Sequence, residues 1–308
     1  MQIVVSPYHL TTREAPAMAA LLLARRVVTL LPAPLDGNGD AKSAIAAAGR
    51  VPTYREFMKS WAWAERLWVS GLIAGHVDGS TPAEDMFDIA RRIGDDAALA
   101  PLREFSHERL YEDERQYLGA VAADLLKGGP DPGISVPLAA GLDRFASRHD
   151  MSVARAHPAS VAQRVEAHLA HGSETVVAPI LLQASAERLL HAREVLHESL
   201  KRVWARGDAW KGGGWKSAWA EYASAFDQRR AEVFEDSHED EVRAVEGAAA
   251  ITMMTLPGDA VLRSSLSALA TLGSGRRAEV SNPEDLPARY DPLDAAPVRA
   301  VVVKVLGR

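Results

Sequence analysis

Apolar side chains return at every third or fourth position along most of this chain, and a polypeptide with that repeat buries one edge by coiling. Phe57, Trp61, Ala64, Trp68 and Leu72 form one such line, with Trp63 and Leu67 on a second, which predicts a helix buried on two sides. Leu182, Ala186, Leu189, Leu196, Leu200 and Val203 extend the pattern over a long helix at about 180–206. Trp215, Trp219, Tyr222 and Phe226 open another that runs toward 246. Start signals agree with the periodicity. Thr53–Glu56 has capping-box spacing, and Thr81–Glu84 adds a proline at the first helical position. Stop signals follow at Gly94, at Gly128-Gly129-Pro130, at Gly172 and at Gly207. Further helices are predicted over about 108–127, 137–149, 158–170 and 259–273.

Short β-branched runs lie at the two ends: Gln2–Val5 and Val27–Leu31 near the start, Ile251–Leu256 and Val298–Leu306 near the finish. The fold class predicted is α+β, predominantly α-helical. A large helical body, about 44–247, is inserted between β-containing terminal segments 1–32 and 248–308, whose strands form one small sheet. No internal repeat or linker interrupts this pattern, so 1–308 reads as a single domain. A chain of this length buries roughly 75% of its unfolded surface, so its core needs no covalent staples.

Composition removes several function classes. The chain has no cysteine, which excludes disulfides, thiolate metal sites and thiol nucleophiles, and fits a cytoplasmic setting. The net charge is −6 with no long basic run, so nucleic acid is not an expected partner. No apolar run approaches the ~20 residues of a spanning helix, so membrane insertion is not expected. The apolar stretch Ala15–Ala24 precedes Arg25-Arg26, the reverse of a secretion signal's order. Lysine supplies only 7 of the 35 basic residues while alanine is abundant, which points to the codon bias of a GC-rich bacterial genome.

Two constellations carry candidate chemistry. The first is Ser6–Glu14, a polar stretch between the first strand and its helix, where α/β proteins place ligand groups. Tyr8, His9, Thr12 and Arg13 are its candidate ligand-binding residues, with Thr11 beside them and His9 available as acid or base. Thr11-x-x-Glu14 also has capping-box spacing, which would leave Tyr8 and His9 to pack. The second is a pair of Glu-x-x-His motifs, Glu194/His197 and Glu235/His238, with the spacing used by carboxylate-bridged metal sites in helical bundles. Glu166 and Glu221 would complete such a site. Surface charge pairing gives the same spacing, and His238 lies in the acidic run EDSHEDE.

Gly207–Ser217 resembles a phosphate loop only superficially, because Trp215 separates Gly214 from Lys216 and a helix precedes it; its glycines suit a helix reversal. Trp204, Trp210, Trp215 and Trp219 gather around that reversal, as core residues or as a partner-binding patch. No nucleophile elbow, His-Glu-x-x-His or dinucleotide fingerprint occurs. The leading expectation, reached by elimination, is therefore a cytosolic interaction or assembly protein that binds a protein partner, with oligomer formation open and no cofactor. The alternatives are an enzyme with a small-molecule site at the first strand–helix junction, and a helical carboxylate protein holding a divalent metal.

Overall fold

The computed structural model describes residues 1–30, 61–75, 86–100, 103–104, 113–127, 141–156, 175–181, 184–207, 214–234, 244–249, 251–254 and 300–306. The chain opens with β1 (Gln2–Val5), runs through α1 (Pro7–Thr12) and α2 (Ala15–Leu23), and returns as β2 (Arg26–Thr29). A 3-10 turn at Ala62–Ala64 leads into α3 (Glu65–Val69) and β3 (Ile73–Gly75). Three helices follow, α4 (Met86–Gly94), α5 (Glu114–Lys127) and α6 (Gly141–Arg148), then β4 (Ser152–Ala156) and β5 (Thr175–Leu181). Beyond them come α7 (Ala186–Val195), α8 (His197–Gly207), α9 (Trp215–Gln228) and α10 (Arg230–Val233). The last strands are β6 (Ala244–Ala249), β7 (Ile251–Met254) and β8 (Ala300–Leu306).

The fold is helix-rich and mixes α with β. One sheet has the order β3-β2-β1-β4-β7. Its first four strands are parallel, with Val5 beside Thr29 on one flank and Ala154 on the other, and β7 closes the edge antiparallel to β4. A second sheet has the order β5-β8-β6, parallel between β5 and β8 and antiparallel between β6 and β8.

Helix α2 sits where the layers meet. Its sequence, APAMAALLL, has no polar side chain, and every residue from Pro16 to Leu23 is buried. A helix that is apolar all round is stable only when covered all round. Here β1 and β4 of one sheet, β5 of the other and α7 supply the cover. Its C-terminal carbonyls have no water to turn to, so side chains satisfy them. Arg193 Nη1 donates to Leu21, Leu22 and Ala24 at 2.8, 2.9 and 2.8 Å, and Trp204 Nε1 donates to Leu23 at 2.8 Å. The cation also suits the negative end of the helix dipole. Burial pulls Arg193 down to about 10, with Tyr222 nearby opposing the fall.

Helices α4, α5 and α6 pack together ahead of β4. Arg144 on α6 donates through Nε to Asp96 at 2.9 Å, and the buried Asp124 on α5 accepts the amide of Gly141, where α6 starts. Arg103 bridges Asp95 at 2.6 Å and Glu114 at 2.8 Å.

The structure changes the predicted layout in four places. The terminal strands do not form one sheet with each other: β7 joins β1 through β4, whereas β8 pairs with β5 and β6. The helical body is not continuous, because β3, β4, β5 and β6 fall within it. The predicted helix at 180–206 begins in β5, where the run TVVAPIL combines β-branched residues with Pro179, which a helix interior rejects. It is also broken at Leu196 (φ −95°, ψ 9°) into α7 and α8. The helix from Trp215 turns at Arg229 and its segment 244–246 belongs to β6. The helices predicted at 158–170 and 259–273 and the two capping boxes at Thr53 and Thr81 lie outside the described residues. Among the described residues no helix is long and apolar enough to cross a membrane.

Candidate functional site at the carboxyl end of the first strand

Strand β1 has β2 on one side and β4 on the other, and the chain visits them in opposite directions from it. In open sheets of parallel strands, such a reversal leaves a crevice beyond the carboxyl ends. The residues that leave β1 at this point are Ser6 to Glu14. Ser6 is fully buried; its Oγ accepts from the Tyr8 amide at 3.1 Å and donates to the Leu126 carbonyl near the end of α5. This anchors the segment to the helical layer. Pro7 follows where its missing N–H is harmless, and α1 runs for six residues only. Thr11 and Thr12 bond back to the carbonyls of Pro7 and Tyr8, both at 3.1 Å.

The helix ends at Arg13, whose backbone is left-handed (φ 51°, ψ 38°) although it is not glycine. That turn brings the Glu14 amide to the His9 carbonyl at 3.1 Å and the Glu14 carboxylate to His9 Nδ1 at 2.7 Å. The capping box expected from Thr11 to Glu14 does not form. Thr11 Oγ1 accepts from Trp61 Nε1 at 2.9 Å, and Glu14, although it is the residue before α2, makes no side-chain cap bond. Its carboxylate is committed to the imidazole.

The pair has defined electrostatics. His9 is 6% exposed, while Glu14 is partly open to solvent. The hydrogen bond from His9 holds the Glu14 carboxyl below its usual range, with burial pulling the other way. An ionised carboxylate only accepts, so Nδ1 carries a proton and, in the neutral ring, Nε2 holds the lone pair. A carboxylate behind one imidazole nitrogen therefore orients the other as a base.

All four sequence candidates fall in this turn, in different environments. Tyr8 is 42% exposed and meets the His9 ring edge-on at 5.9 Å between centroids. Thr12 is exposed and bonded to its own helix. Arg13 is half-buried with its guanidinium 4.6 Å above the Trp63 ring. Sequence reasoning did not connect Trp61 and Trp63 with this stretch. Both arrive through the 3-10 turn before α3, where Trp61 also stacks on Trp68 at 5.9 Å. On the neighbouring strand, the fully buried Thr29 lies next to Val5 in the ladder, and its hydroxyl finds no hydrogen-bond partner among the described residues.

The metal candidates are placed differently. Glu194 and His197 stand on either side of the Leu196 break and line a recess of about 490 Å³ together with Arg193 and Trp204. A guanidinium in that recess opposes a divalent cation. Glu235, His238 and Glu166 lie outside the described residues, and Glu221 pairs with Arg202 at 3.0 Å. Among the described residues no three His, Asp or Glu side chains gather to hold a metal. Of the tryptophans near the helix reversal, Trp215 and Trp219 are core, Trp204 caps α2, and Trp210 is outside the described residues.

Fold and site together describe a helix-rich protein whose parallel strands carry a histidine–carboxylate pair beyond their carboxyl edge. Comparison of the chain with protein-family models, with curated proteins and with solved structures finds no match.

Proposed function

We propose that this chain is an enzyme acting on a small polar molecule at the carboxyl edge of the β1–β4 strand pair, with His9 as the proton-transferring group and Glu14 as the residue that positions it. One observation carries the reading: the 2.7 Å contact between Glu14 and His9 Nδ1 lies directly after β1, where the strand order reverses. The carboxylate that could otherwise cap α2 instead fixes the tautomer of His9. The hydroxyl of Thr29 on the adjacent strand, without a hydrogen-bond partner among the described residues, adds a second polar group at the same edge. A cytosolic setting agrees with the absence of cysteine. The expectation of a protein partner draws no comparable support, because the large apolar side chains exposed among the described residues, Tyr8, Val69 and Phe87, lie on three separate helices.

The reading requires His9 Nε2 to be reachable from solvent as a lone-pair donor. Carbethoxylation of the folded, full-length protein by diethyl pyrocarbonate, mapped by peptide mass spectrometry, tests this. His9 should be modified at neutral pH. A His9 that stays unmodified in the folded protein yet reacts after denaturation overturns the assignment.

A further inference from the structure

We propose that the molecule bound at this edge carries an oxyanion, a phosphate or a carboxylate, and that Arg13 grips it from a platform formed by Trp63. The proposal rests on the edge of β1 being a substrate site and adds the chemical class of the substrate.

Arg13 is one of two non-glycine residues among the described ones with a positive φ, a left-handed conformation that is costly for any residue with a Cβ. Glycine would relieve that cost, and helices commonly end on it. What arginine adds at this position is a guanidinium, held 4.6 Å above the Trp63 ring. The attraction to the ring uses the flat face of the cation. Its five N–H donors radiate in the plane of the group, so stacking leaves them available to a two-point contact with an oxyanion. The other described guanidinium held over an indole, that of Arg193, spends its donors on three carbonyls. Arg13 has neither an ion pair nor a hydrogen bond from its side chain to a described residue. Its nearest carboxylate in sequence, Glu14, is taken up by His9.

Position completes the case. Arg13 and His9 are the two ends of one closed turn, joined by the Arg13 amide on the His9 carbonyl. Arg13 therefore follows the proton-transferring residue within one turn of backbone, half-buried, with its charge uncompensated by any described residue. Trp63 is a positioning residue: it acts through Arg13 by fixing the plane of the guanidinium.

Calorimetric titration of the folded full-length protein with inorganic phosphate and, separately, with malonate at constant ionic strength tests the proposal and tells the two oxyanions apart. At least one should bind saturably. Arg13→Gln should weaken that binding tenfold or more, and Arg13→Lys should recover only part of the loss because the planar fork is gone. Trp63→Phe should keep most of the affinity and Trp63→Leu should lose several-fold, with both variants showing wild-type circular dichroism. Absence of saturable binding by both anions, or an Arg13→Gln variant that binds as wild type does, overturns the proposal. The two readings fail separately. Carbethoxylated His9 without anion binding removes the oxyanion class and leaves the acid–base site. Anion binding lost in Arg13→Gln, with an unreactive His9, does the opposite.

Discussion

Replacing Arg193 by methionine should destabilise the protein by about 2–3 kcal/mol, and the figure follows from the end of one helix. Arg193 Nη1 reaches the carbonyls of Leu21, Leu22 and Ala24 at 2.8, 2.9 and 2.8 Å. That nitrogen has only two hydrogens, so two bonds' worth of interaction is shared among three acceptors. Charge-assisted bonds contribute about 1.5–3 kcal/mol each. Burial of the guanidinium takes part of that back, as its fall to about 10 indicates. The remainder is a sizeable share of a total stability that is about 5–15 kcal/mol for most domains. Methionine keeps most of the stem's packing, so the loss reports the head group. Urea denaturation followed by circular dichroism is the assay, with an unchanged slope required. Trp204→Phe should cost about 1 kcal/mol, because one neutral bond to Leu23 is lost. The double variant should show coupling of about 0.5–1 kcal/mol through the stacked contact at 5.5 Å. An Arg193→Met protein within about 0.5 kcal/mol of wild type would refute the reasoning, since a fully buried helix end would then be tolerating orphan carbonyls.

Two further outcomes follow from the geometry. Glu14 is held below its usual value by the hydrogen bond from His9, so its contribution is fully present above the unfolded carboxyl value of 4.5 and is lost as pH falls through the lower folded value. Glu14→Gln should therefore cost about 1 kcal/mol at pH 6, discounted for partial exposure, and the gap to wild type should close on acidification below that range; a gap that widens there contradicts the pairing. Gly141→Ala should lower the melting temperature by roughly 2–4 °C. An added Cβ would lie 3.0 Å from Leu125 Cγ and 3.3 Å from the Val121 carbonyl, at a position whose amide serves the buried Asp124; an unchanged melting temperature in a thermal scan would show that α5 yields there without strain.

Local signals in the sequence located elements better than they located neighbours. Gln2–Val5 is β1 as its β-branched run predicts, and the helix predicted to stop at Gly94 does so. Trp215, Trp219, Tyr222 and Phe226 are all buried on one helix. Strands β3 and β4 escaped because three and five residues of IAG and SVARA carry little propensity of their own; pairing with β2 and β1 makes them strands. Ala244–Ala249 has helix-forming residues and is nevertheless extended, because β8 offers it an edge. The stretch Ser6–Glu14 could be singled out because a polar run between strand and helix has a physical meaning. Trp61 and Trp63 could not be assigned to it, since nothing within a chain segment announces a contact with residues about 50 positions away.

Three departures from local rules lie in or beside the turn proposed as the site. Glu14 precedes α2 where a side-chain cap would contribute about 1 kcal/mol, yet its carboxylate turns to His9. Arg13 occupies a left-handed position where glycine would be relaxed, with its charge on an indole rather than on a carboxylate. Thr29, in the strand alongside, buries a hydroxyl without a partner among the described residues. Each departure forgoes a locally relaxed arrangement worth about 1 kcal/mol. At the other end of α2 every rule is obeyed: the terminal carbonyls are capped by Arg193 and Trp204. One helix thus has a fully satisfied end fixed in the core and a strained end at the sheet's carboxyl edge. Local strain persists where the surrounding structure holds it in place, and it concentrates where a protein acts on something else. That contrast between the two ends of α2 supports the choice of the His9–Arg13 turn over the recess beside Glu194 and His197.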